Sequence, residues 1–183
     1  LRLGAYAGQS IISGLSVSNC DAAGIDIRAQ YVNAHHNLAA NCGNGFLLSS
    51  AIVELGFNLA RLNSGYGVSG SNANCNLVAN RMLDNALGGI RLSTGGRGLI
   101  SGNLLAGNPL GIGLYAAQDM MLLHNFIRRD NYGGSYESNE YSIRLENCNR
   151  VVALGNWAYG KALSQQNCSN LTLMLSGGDW NPS

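Results

Sequence analysis

At 183 residues the chain suits one domain with a sizeable core, and a formal net charge of +1 with only 11% charged residues leaves no electrostatic footprint for nucleic acid or an anionic membrane. No apolar stretch approaches the roughly 18 residues of a membrane span, and Leu1 to Gln9 lacks the apolar region and cleavage site of a secretory signal. The 25 glycines and 23 asparagines, against 2 prolines, favour left-handed and turn backbone conformations, so many tight corners are expected.

Taken in order, Leu1 to Ser18 reads as a first coil, with Ile11, Ile12, Leu15 and Val17 set among small polar residues as in a short strand. No amphipathic helix precedes it to cap an exposed coil. The segment is therefore expected to be cut from a longer chain, or to be covered by another one. From Asn41 a pattern recurs every 22 residues: Asn41, Asn63 and Asn85 are each followed five residues later by Phe46, Val68 and Ile90. The spacing reaches back to Asn19 and Ile25 and, with one residue of slippage, forward to Asn108 and Ile112. Repetition at this interval marks a solenoid, whose coils bury an apolar face only by stacking.

Within each repeat a glycine opens a short strand: Gly24-Ile25, Gly45-Phe46, Gly67-Val68, Gly89-Ile90 and Gly111-Ile112. Strand alternation turns Ile25/Ile27, Phe46/Leu48, Ile90/Leu92 and Ile112/Leu114 inward. A second strand precedes the asparagine, as in Ile52-Val53-Glu54-Leu55, Leu77-Val78-Ala79, Leu99-Ile100-Ser101 and Met121-Leu122-Leu123. A shorter apolar pair lies between them, such as Met82/Leu83 or Leu104/Leu105. Three short strands per 22 residues leave no room for a helix, and the leucine spacing of a horseshoe repeat is not kept. The expected fold is all-β, a right-handed parallel β-helix of about 22 residues per coil, forming a single domain over 1–183.

These coils, of the form Asn-x-[Leu/Met/Phe]-x-x-Asn-x-x-Gly-[Ile/Val/Phe], resemble the right-handed parallel β-helix of the pectate-lyase-like superfamily. That superfamily includes polysaccharide lyases, glycoside hydrolases, sugar epimerases and phage tailspikes. The resemblance spans roughly Ser10 to Leu175 and is specific for fold, not for reaction. The paired aspartates of polygalacturonase-like hydrolases, the Arg-x-Pro-x-x-Arg of pectate lyases and the Asp-Pro-His-Asp of alginate epimerases are all missing. No family catalytic residue carries over.

The asparagine column has a structural reading: amides stacked at the strand spacing satisfy one another and the turn backbone. Asn19, Asn41, Asn63 and Asn85 are thus expected at one corner, side chains inward. All five cysteines directly follow an asparagine (Cys20, Cys42, Cys75, Cys148 and Cys168) and no Cys/His ligand spacing is present. They read as small buried residues stacked at corners, with no metal or cofactor expected. Cys20 and Cys42, 22 apart, can approach one another, although an odd count argues against an obligatory disulfide framework. His35, His36 and His124 also show no ligand spacing and read as structural or surface residues. Two glycosylation-type patterns, at Asn167 and Asn170, are what chance supplies in a chain this rich in asparagine.

Regularity breaks once. Ile112 to Ile143 spans 31 residues, which inserts about nine within 128–141. Insertions in solenoids map to loops on one face, often the binding face. This one holds Tyr132, Tyr136, Glu137 and Glu140, chemistry suited to sugar rings and their hydroxyls, so these four are the candidate substrate-binding residues. Outward strand positions beside it place Arg91, Tyr115, Arg144 and Glu146 on three consecutive coils as candidate catalytic residues. Arg would pair an acidic sugar's carboxylate while Tyr or Glu moves a proton; the same residues would also suit a surface ion-pair ladder. Two function classes follow. One is a carbohydrate-active β-helix, a tailspike-like polysaccharide lyase or glycoside hydrolase acting on a poly- or oligosaccharide. The other is a non-catalytic structural or adhesive segment of an extracellular or virion-surface spike, in trimeric form.

Overall fold

Ile25, Phe46, Val68, Ile90, Ile112 and Ile143 stack in one inward column, each the register partner of the next and all six fully buried. The strands that carry them are Ala23–Ile27, Asn44–Ser49, Tyr66–Ser71, Gly88–Ser93, Ile112–Tyr115 and Ile143–Glu146. With Arg2–Leu3 and Leu163–Gln166 they form a parallel sheet of eight strands, here called the first sheet. The coordinates, a computed structural model, describe residues 1–3, 9–49, 51–94, 96–128, 141–158 and 163–176.

Two further faces complete each coil. The second carries Ser10–Ser13, Gln30–His35, Ile52–Gly56, Asn74–Val78, Arg97–Ser101 and Gln118–Leu123. The third carries Ser16–Ser18, Leu38–Ala40, Leu59–Arg61, Arg81–Leu83, Leu104–Ala106 and Phe126–Arg128. Strand Asn149–Ala158 runs round the corner and pairs with both faces, joining them into one sheet. All pairings are parallel and no described residue is helical. The architecture is a right-handed parallel β-helix, the hand that parallel crossovers adopt.

The glycine that opens each first-sheet strand is there for steric reasons. A Cβ on Gly89 would lie 2.5 Å from Leu105 Cδ2, and one on Gly67 2.7 Å from the Met82 sulfur. Gly45 faces Ala60, and Gly111 faces Ile127, equally closely. These glycines form a seam where the first sheet closes on the third face, with no room for a side chain between coils.

The asparagines divide into two inward ladders. One runs Asn63, Asn85, Asn108, each Nδ2 donating to the next Oδ1 at 2.8 and 3.0 Å. The other, longer ladder runs Asn37, Asn58, Asn80, Asn103, Asn125, Asn156, with Nδ2-to-Oδ1 distances from 2.8 to 3.1 Å, and all six are buried. In this longer ladder each Oδ1 after the first also accepts the backbone N–H of the preceding asparagine, and Nδ2 donates to a strand carbonyl such as Leu77 or Ile100. Four corner groups are thereby paired by one side chain within the ladder.

Asn19 and Asn41 do not belong to this column, contrary to the expectation from their spacing. Both are exposed and left-handed, with φ of 58° and 53°. Backbone hydrogen bonds join Asn41 to Arg61 and Leu62 to Leu83, so Asn41 is the counterpart of Leu62 and Asp84, which share its left-handed geometry. The inward seat one residue later belongs to Cys42, whose N–H donates to Asn63 Oδ1 at 3.0 Å. An interval of 22 residues across coils of unequal length aligned residues from different seats.

Candidate functional site

Outward side chains of the first sheet form columns along the solenoid. Register places Ser69, Arg91, Gly113 and Arg144 in one, and Ser71, Ser93, Tyr115 and Glu146 in the next. The four predicted catalytic residues therefore share one surface. The Arg91 guanidinium lies over the Tyr115 ring at 5.1 Å and Arg144 over the same ring at 5.8 Å, so one phenol is held between two cations. Arg144 donates to Glu146 at 2.6 Å. Each cation–π contact contributes about 0.5–1 kcal/mol at such exposure.

Gly113 makes this possible. Where every other coil of the column carries a side chain, this one has none, and a Cβ there would sit 2.9 Å from Tyr115 Cε2. The ring folds back over the vacant position. Tyr66 does the same over Gly88 and presents its ring to Arg91 at 5.9 Å, so Arg91 is bracketed by two aromatic rings. Tyr66 was missed by the sequence reading because Gly67 and Val68 both face inward, which breaks strict alternation just where Tyr66 emerges. Its signal was an aromatic immediately before the strand-opening glycine.

Arg91 pairs with no carboxylate among the described residues, whereas Asp26 is shared by Arg2 and Arg28, and Asp119 by Arg97 and Arg150. The Asp119 carboxyl is held below its ordinary range by its hydrogen bond from Arg150. Of the predicted substrate-binding residues, Tyr132, Tyr136, Glu137 and Glu140 lie outside the described residues. The column itself passes the insertion undisturbed, since Ile112 pairs with Ile143.

Burial is the largest influence on the Tyr115 phenol and pushes its pKa up; Arg144 and Arg91 pull it down, while Tyr66 and Glu146 add to the rise. At neutral pH the group is a proton donor. Its folded value lies above the ordinary value, so the stabilisation is complete below the unfolded tyrosine pKa of about 10 and fades as pH rises through the folded one. In a spectrophotometric titration, Tyr115→Phe is expected to remove an ionisation lying above the ordinary tyrosine range. A missing step at or below that range would show that the ring is not shielded.

The histidines behave as surface residues. His36 stacks on Phe57 at 5.3 Å, and its Nδ1 lies 2.9 Å from that of His35. Concave space includes troughs of about 460 Å³ beside Tyr31 and Glu54 and about 440 Å³ beside His36 and Phe57 on the second face, and one of about 600 Å³ at the last coil between Gln165 and Leu173. None of them is lined by the Arg91 cluster, and an extended polymer lying along a sheet needs no enclosed cavity. Among the described residues no three His, Cys, Asp or Glu side chains converge as a metal site, and no helix is long and apolar enough to cross a membrane.

Comparison with solved structures finds the same fold in a double mutant of the periplasmic alginate epimerase AlgG. The TM-score is 0.75 at 16% identity over 91% of this chain, which spans 45% of that one. The A-module of the Azotobacter vinelandii mannuronan C-5 epimerase AlgE6 matches with a TM-score of 0.44 at 12% identity, over 92% of this chain and 62% of that one. No curated protein sequence matches. The family model described as periplasmic copper-binding protein (NosD) matches residues 4–132, most of the chain, and the chain belongs to the NosD family of parallel β-helix proteins.

Proposed function

We propose that this β-helix binds an acidic polysaccharide along the outer face of its first sheet, outside the cytoplasm. The observation that carries the reading is Arg91, held between Tyr66 and Tyr115 with no carboxylate partner among the described residues. A guanidinium fixed by aromatic faces keeps its N–H groups for an anion and is already ordered before the ligand arrives. The phenol groups beside it, with Ser69, Ser71 and Ser93, line the strip with hydroxyls for hydrogen bonds to a sugar.

The enzymatic form of the proposal is cleavage of the bound chain by a lyase or glycoside hydrolase. Tyr115, neutral and between two cations, would donate a proton, and Glu146 would be the carboxylate beside it. The periplasmic epimerase that shares the fold acts on alginate by its name, which favours an acidic sugar as ligand but carries no catalytic residue across. The copper binding in the family description is not carried over either, because the described residues assemble no such ligand set.

Titration calorimetry with alginate and polygalacturonate oligosaccharides, against a neutral cello-oligosaccharide, tests the proposal. The acidic chains are expected to bind, and Arg91→Ala to weaken binding about 10- to 100-fold, the worth of a charge-assisted hydrogen bond, while the melting temperature falls by only a few degrees through the loss of its two cation–π contacts. Equal binding by wild type and by both Arg91→Ala and Arg144→Ala would overturn it. Release of reducing ends or of unsaturated-uronate absorbance would establish cleavage, and binding without either would favour the adhesive reading.

A further inference from the structure

Four of the five cysteines meet in two pairs, and the same local geometry builds both. Asn19, Asn41, Asn147 and Asn167 are all left-handed, with φ between 52° and 58°. Each turns the chain sharply, so that the cysteine after it lies just past the corner. Cys42 and Cys148 are buried, whereas Cys20 and Cys168 are partly exposed. The Cys148 N–H donates to the Cys168 sulfur at 3.3 Å. Burial raises the pKa of the Cys42 and Cys148 thiols, and the neighbouring thiols of Cys20 and Cys168 add to the rise.

Backbone bonds fix the neighbouring coils on both sides of each pair. Asn19 N–H donates to Ala40 and Gly43 N–H to Cys20, at 3.1 and 3.0 Å; Asn147 N–H donates to Gln166 and Ser169 N–H to Cys148, at 2.9 and 3.0 Å. The paired Cα atoms are therefore held near the strand spacing of about 4.8 Å, inside the span of about 4.4–6.8 Å that a disulfide bridges.

We propose that Cys20 with Cys42, and Cys148 with Cys168, are two redox pairs, each closing to a disulfide that ties one coil to the next. The oxidant is a small-molecule disulfide. The accessible thiol, Cys20 or Cys168, loses its proton and attacks one sulfur of the oxidant, breaking its S–S bond and releasing one thiol. The buried partner then loses its proton and attacks the mixed disulfide, releasing a second thiol. Each pair loses two protons and two electrons, which reduce one oxidant molecule to two thiols. The odd cysteine is Cys75, which faces inward at mid-strand on Asn74–Val78 rather than at a corner. Burial pushes its thiol up to about 12, so it stays out of the exchange.

The test is incubation of the chain with oxidised glutathione, followed by intact mass and non-reducing peptide mapping. Expected are a loss of two hydrogens per bridge, linked peptides Cys20–Cys42 and Cys148–Cys168, and a melting temperature higher by several degrees, because each bridge closes a loop of about 20 residues. Cys42→Ser and Cys148→Ser should each stall at a glutathione adduct on the accessible partner. Lasting adducts on Cys20 and Cys168 in the wild type, bridges to Cys75, or only intermolecular links would overturn the proposal. The wild-type map decides even if a serine variant fails to fold.

Discussion

Replacing Asn103 with alanine is expected to destabilise the protein by about 3–5 kcal/mol, because one deletion strands several buried groups that each cost about 1–3 kcal/mol. Asn103 Oδ1 accepts from both the backbone N–H and the Nδ2 of Asn80, at 2.9 and 3.1 Å. Its own Nδ2 donates to the Leu77 carbonyl and to Asn125 Oδ1, at 2.8 and 2.9 Å. Asn80 and Asn125 are as buried as Asn103, so water cannot replace what is lost. Asn76, exposed on the outer face of the second sheet, serves as the control, and its alanine variant should change stability by no more than about 0.5 kcal/mol. Urea unfolding of the two variants distinguishes the roles. Equal midpoints would mean that the ladder is not what holds the corner.

Phe46→Ala is expected to cost a similar amount, about 3–5 kcal/mol, by a different route: the loss of buried surface together with a cavity that rigid neighbours cannot fill. Phe46 is fully buried, and its register partners in the inward column are Ile25 and Val68. Neither can move across to close the gap, since both strands are fixed by their own ladders. Because a coil in a solenoid touches only its neighbours, the damage should stay local. Hydrogen exchange should show protection lost first in Ala23–Ile27 and Asn44–Ser49, while Ile143–Glu146 keeps its protection. Uniform loss along the whole chain would indicate that the coils unfold as one unit.

Much of the fold was legible in the sequence because a solenoid repeats its chemistry at a nearly fixed interval. The strand-opening glycines, the inward column from Ile25 to Ile143 and the insertion after Ile127 could all be read as departures from, or agreements with, one period. The longer asparagine ladder was equally visible in principle, with intervals of 21, 22, 23, 22 and 31 residues between its members.

What the linear pattern could not supply was the seat each residue occupies within its coil. Coils differ in length by a residue or two, so Asn41 and Asn63 match in sequence phase while one is a left-handed exposed corner and the other a buried ladder amide. Register decided that, through hydrogen bonds between residues about 20 apart. The same holds for the candidate site. Alternation placed Arg91, Tyr115, Arg144 and Glu146 on one face, but only packing showed the Tyr115 ring lying over Gly113 between two guanidinium groups, and Tyr66 emerging where two successive residues turn inward. Composition and periodicity determine which coils stack; the empty space above a glycine, which a neighbouring ring fills, exists only once they have stacked.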